Sequence, residues 1–156
     1  MSNFQLVSLD PEPFAPLFAL SDDALRAMGA ARVKAGSPTG YPCRVSLEDA
    51  AVGDELLLLP YAHVEAPSPY QATGPIFVRR HARPRVLAPG EVPPSVTSRL
   101  ISVRSYDAAG VMLDADVCSG ETVASRIDGF FAHARVHVIH LHNARRGCFA
   151  CRVMRA

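Results

Sequence analysis

A chain of 156 residues suffices for one domain and is short for two, and its 49% apolar and 20% charged residues can bury about 70% of the unfolded surface without a structural metal or disulfide. Sixteen basic against fifteen acidic side chains leave a net charge of +1, which excludes bulk electrostatic attraction to nucleic acid or an anionic membrane.

The first residues, Met1-Ser2-Asn3-Phe4-Gln5, carry no basic stretch followed by an apolar one and do not read as a secretory signal. The longest apolar run, residues 56–59 with their neighbours, is far short of the roughly 20 residues a membrane helix requires, so no membrane role is expected. Without an export signal, Cys43, Cys118, Cys148 and Cys151 are expected as thiols in a reducing cytoplasm. Fifteen of the sixteen basic residues are arginine, a habit of the whole chain that makes any single arginine a weak signal.

Prolines crowd the first half, and each fixes φ and removes a donor, so long helices are excluded there. Ser21 before Asp22 and Asp23 predicts a capped helix over 21–28, with Gly29 as its left-handed stop. The turn around Gly53-Asp54 delivers residues 56–59 as a strand buried on both faces and bounded by Pro60. Gly74-Pro75 reads as a turn into a strand over 76–79, and Pro93-Pro94-Ser95 as the opening of a brief helix over 93–98. Residues 100–106 predict a strand, and Asp107-Ala108-Ala109-Gly110 a hairpin turn. In the partner strand Val111, Leu113, Ala115 and Val117 should face inward. Val123, Ile127, Phe130 and Phe131 recur at helical spacing and predict the main helix over about 120–132. A strand over 135–142, a five-residue turn and a strand over 148–154 close the chain. The fold class is α+β: a single domain with a mainly antiparallel sheet curled towards a barrel, one main helix and two short ones.

His140-Leu141-His142 with Cys148 is the most specific constellation. Residues two apart in a strand share a face, and a five-residue turn would set Cys148 opposite His142, giving a His-His-Cys set for zinc or a similar divalent metal with a fourth position open. The plainer reading is two histidines hydrogen-bonded within a sheet beside a packed thiol. Cys148-Phe149-Ala150-Cys151 has CxxC spacing, but in a strand its two sulfurs face opposite sides, too far apart for a disulfide. Cys43 between Pro42 and Arg44 is a candidate nucleophile whose base, His63 or a histidine of the C-terminal strand, only the fold could supply. Four arginines in the segment Arg79-Arg80-His81-Ala82-Arg83-Pro84-Arg85 suggest a clamp for a small anionic ligand, in which Tyr70, Arg79, Arg44 and Arg104 would serve as contacts, against the alternative of a solvated loop. Nucleotide-hydrolase, serine-hydrolase, zincin and dinucleotide motifs are missing from the text.

Tyr41-Pro42-Cys43-Arg44-Val45-Ser46-Leu47, Asp49-Ala50, Ser68-Pro69-Tyr70, Gly74-Pro75-Ile76-Phe77-Val78-Arg79, Arg104 with Tyr106-Asp107, and His142-Asn143-Ala144 with Gly147-Cys148 together resemble the bacterial domain-of-unknown-function 1203 family. The resemblance implies a small single-domain protein and carries no established activity, substrate or cofactor. Gln71 stands where arginine is common in that family, which argues against an anion contact there. The sequence therefore leads with a small-molecule, anionic-ligand-binding domain using the 70–85 segment, with a metal-dependent enzyme at His140, His142 and Cys148 as the second reading. A homodimer through an exposed strand edge is the remaining expectation for partners.

Overall fold

The computed structural model describes residues 2–156. Its elements in order are β1 (Phe4–Val7), α1 (Asp22–Ala27), β2 (Ala31–Lys34), β3 (Glu55–Val64), β4 (Ala72–Arg79), α2 (Pro94–Thr97), β5 (Leu100–Tyr106), β6 (Met112–Ser119), α3 (Val123–Phe131), β7 (Val138–Asn143) and β8 (Phe149–Arg155). Single 3-10 turns precede α1 and α3. The strands form two antiparallel sheets, one ordered β1-β8-β7-β5-β6 and one ordered β2-β3-β4. The class is α+β as expected. Neither sheet closes, so the single sheet curled towards a barrel is replaced by two open sheets that meet where β4 approaches β8.

Helix α3 shows why the larger sheet is covered on one face. Nine residues are too few for an independent helix, but Val123, Ile127, Phe130 and Phe131 are all buried, each contributing about 1.5–3 kcal/mol. They join Phe4 and Leu6 of β1, Ile101 and Val103 of β5, Ile139 and Leu141 of β7, and Val153 of β8 in one core. A second core forms where Leu57 and Leu59 of β3 and Ile76 and Val78 of β4 meet Phe14, Phe18, Leu25, Val45 and Phe149. Leu56 turns to the opposite face against Ala35 and Ala50, so β3 is buried on both sides where the sequence placed it.

Several boundaries differ from expectation. β3 runs through Pro60, and Gly74-Pro75 lies inside β4 instead of forming a turn before it. The amide of Arg80 donates to the Glu55 carbonyl at 2.9 Å, which makes 55, 57, 59 and 61 the hydrogen-bonded positions of the β3–β4 ladder. Pro60 and Pro75 face one another at a non-bonded pair, and β2 ends opposite Leu58, so the donor missing from Pro60 has no neighbouring strand to serve. β6 forms the expected hairpin partner of β5, but a bulge between Ser105 and Tyr106 shifts its register. Ala115 and Val117 therefore face solvent, while Cys118 packs towards the α3 core. The short strands β1 and β2 have no counterpart in the sequence reading.

α3 is entered through Gly120, whose amide donates to the Arg99 carbonyl at 2.8 Å. A Cβ there would overlap the Val96 carbonyl and lie 2.8 Å from the Arg99 carbonyl, whereas a Cβ at Gly129, in mid-helix, meets nothing within 4 Å. Gly120→Ala should therefore destabilise by about 1–3 kcal/mol, and Gly129→Ala should stabilise by about 0.5–1 kcal/mol. Urea midpoints moving in the same direction for both variants would contradict this packing.

Candidate metal centre

The face of the larger sheet away from α3 is polar at its middle. Strand pairing sets Arg104 beside His140 and Ser102 beside His142 on one side, and Arg152 beside His140 and Phe149 beside His142 on the other. The period of two along β7 puts both histidines on this face, as the sequence predicts. The third member comes from the other sheet. The β3–β4 register slips between Ala62 and Val64, leaving His63 as the bulged residue and turning its ring across the seam.

One ring nitrogen from each of His63, His140 and His142 lies within 4.8 Å of the other two. A tetrahedral zinc ion with bonds of about 2.0–2.1 Å holds its nitrogens ~3.3 Å apart, so small side-chain rotations bring this set into coordination range. The His63 ring is 4.9 Å from that of His142 and 6.0 Å from that of His140 between centroids. Phe149 stacks on His63 and presents itself edge-on to both others, walling the cluster from water.

His140 is 6% exposed and His142 1%. The Nδ1 atoms of His63 and His140 and the Nε2 of His142 are buried with no hydrogen-bond partner among the described residues. His142 Nδ1 lies 2.9 Å from the Gly147 carbonyl, which can only accept, so Nδ1 carries the proton and Nε2 keeps its lone pair. Burial, reinforced by the charge of the neighbouring histidines, pulls His140 down to about 3. Burial likewise pulls His142 down to about 4 against the opposing effect of the hydrogen bond it donates to the Gly147 carbonyl, and lowers His63. The three rings are neutral at pH 7 and present lone pairs.

A cavity of about 200 Å³ opens beside the cluster, with His63, His140, Glu65, Tyr106, Asp107 and Arg152 in its wall. The Tyr106 ring lies 4.9 Å from that of His140, and burial raises its phenol against the opposing charge of Arg104. Arg104 donates to Ser102 Oγ at 3.1 Å, and Tyr70 stands exposed in the loop on the same side.

The remaining sequence candidates lie elsewhere. Cys148 is not opposite His142: a bulge at Ala150 pairs His142 with Phe149, and Cys148 falls opposite Asn143. Its sulfur accepts from Arg44 at 3.3 Å and from Asn143 at 3.5 Å, so His63 takes the place expected for Cys148. Cys151 faces the α3 core, where burial pushes its thiol up to about 12. The buried Cys43 sulfur accepts from the amides of Arg79 and Ser46, and no histidine is among its partners. Three of the four 79–85 arginines are engaged by acids: Arg79 with Asp54, Arg80 with Glu55, and Arg85 with Glu91 and Glu48. Arg44, Tyr70, Arg79 and Arg104 do not converge on one pocket; Arg44 lines a separate cavity.

A family model described as protein of unknown function (DUF1203) matches residues 40–155. The chain belongs to the DUF1203 family. The matched span holds the three clustered histidines, Arg44 and the bulges at His63 and Ala150, and leaves β1, α1 and β2 outside it. No curated protein and no solved structure matches the chain.

The depressed histidines make an acid-sensitive seam. In the unfolded chain they take up protons near pH 6.5, whereas the folded site resists to about pH 4 and below, so acidification favours unfolding across that window and stability is full above it. Chelator-treated protein should lose up to about 1.4 kcal/mol per pH unit for each histidine involved between pH 6.5 and 4. His140→Gln should flatten that slope in urea titrations; an unchanged slope would contradict the assignment.

Proposed function

We propose that this chain is a metal-dependent small-molecule-binding domain in which His63, His140 and His142 hold a divalent transition metal, zinc or one of similar preference, with an open position towards the adjoining cavity. The observation that carries this reading is the convergence, from two different sheets, of three neutral imidazoles with partnerless buried nitrogens. Each unmade bond costs about 1–3 kcal/mol, and one ion would serve all three rings. Proton placement on His142 and the wall formed by Phe149 are what a metal ligand requires of its surroundings.

Bound there, the ion would supply Lewis-acid chemistry at its open position. The three ligands are neutral, and Arg104 and Arg152 flank His140 on the two neighbouring strands, which with the charge of the ion favours an anionic small molecule in that position. Glu65, Asp107 and Tyr106 on the cavity wall are the groups placed to accept or donate a proton. Four free thiols suit a reducing, cytoplasmic setting for this work.

The test is reconstitution of untagged protein with zinc, desalting and elemental analysis. Wild type should retain about one ion per chain, and His63→Ala, His140→Ala and His142→Ala should each weaken binding by about 100-fold or more. Cys148→Ala should retain metal as wild type does. Loss in Cys148→Ala with retention in His63→Ala, or no retention by wild type, would overturn the reading.

A further inference from the structure

A second cavity, of about 560 Å³, lies against the β7–β8 turn and has none of the three clustered histidines in its wall. Arg44, Arg99, Arg145 and Arg146 line it and no acidic side chain does. Arg99 is held by Asp49 at 2.6 Å and by the carbonyls of Ser95 and Thr39. Among the described residues the other three have no carboxylate within 4.0 Å.

Arg44 is the decisive member. It is 2% exposed, and its guanidinium meets the Phe149 carbonyl, the Pro42 carbonyl and the Cys148 sulfur. Those partners take three of its five N–H donors and none of its charge. A buried cation without a counter-charge is costly, and here it borders a cavity where the exposed Arg145 and Arg146 add two more positive charges. The same cavity wall includes Tyr41 and Phe77, a tilted ring pair 5.3 Å apart, and Leu100. The volume is that of a metabolite site, well beyond what a bare ion needs.

We propose that this cavity binds a small organic oxyanion, its phosphate or carboxylate head on Arg44, Arg145 and Arg146 and its apolar or aromatic body against Tyr41 and Phe77. The assignment is independent of the metal reading, since no metal ligand lines the cavity. Anion-binding capacity thus lies at the β7–β8 turn, where Arg145 and Arg146 make no ion pair, and not in the 79–85 run, whose arginines are mostly neutralised.

Calorimetric titration of the purified protein, repeated in chelator, with inorganic phosphate, phenyl phosphate and benzoate tests it. One molecule of phenyl phosphate or benzoate per chain should bind, with or without chelator, and the stronger of the two identifies the head group. The double variant Arg145→Ala/Arg146→Ala, both at exposed positions that leave the core intact, should weaken binding about tenfold or more. Tyr41→Leu should weaken the aromatic probes and leave inorganic phosphate unchanged. Wild-type affinity in the double variant, or no binding of either aromatic probe at millimolar concentration, would overturn the proposal; inorganic phosphate binding as tightly as phenyl phosphate would overturn the part given to Tyr41 and Phe77.

Discussion

A buried guanidinium ties the two sheets beside their shared apolar contacts on Phe149. Arg44 takes its backbone place beside β4, where its amide donates to the Phe77 carbonyl, and sends its side chain to the Phe149 carbonyl at the start of β8. That bond crosses from the smaller sheet to the larger at 2.7 Å, with the charge almost wholly out of water. Burial lowers the guanidinium pKa, yet arginine keeps its proton in any protein environment, so the group must be satisfied in place. Phe149 is thereby fixed, and its ring is the surface on which His63, His140 and His142 gather. The position of the histidine cluster follows from the anchoring of a residue that is itself no ligand.

The β7–β8 hairpin carries both proposed sites. His142 donates to the Gly147 carbonyl inside the turn, the Gly147 amide donates back to Asn143, and Arg145 and Arg146 lie on the same few residues. Strand β7 presents neutral nitrogen lone pairs to a cation. The turn that follows presents guanidinium groups to an anion. The three imidazoles carry no charge of their own, and among the described residues no carboxylate pairs with Arg44, Arg145 or Arg146, which distinguishes both sites from an ordinary ion pair such as Arg99 with Asp49.

What the sequence made legible was local. The Ser21 cap, the α3 stripe, the β5–β6 hairpin and the shared face of His140 and His142 all follow from spacing and turn chemistry, because they depend on residues within a few positions of one another. Pro60 and Pro75 misled because a proline is harmless at a non-bonded position beyond a neighbour's end, which only the pairing of β2, β3 and β4 determines. The place of His63 was hidden for the same kind of reason: its direction depends on a bulge, and its neighbours on a sheet contact about 80 residues away in the chain. Cys148 was lost by a single step of register at Ala150. The 79–85 run advertised its charge, but the acids that neutralise most of it, Glu55, Asp54, Glu48 and Glu91, come from other segments.

Whether three imidazoles from two sheets share one ion is decided by X-ray absorption at the metal edge of zinc-loaded protein. The expected first shell has three histidine nitrogens at about 2.0–2.1 Å, one further oxygen or nitrogen, and no sulfur. A sulfur scatterer near 2.3 Å, or a shell of oxygen alone, would contradict it.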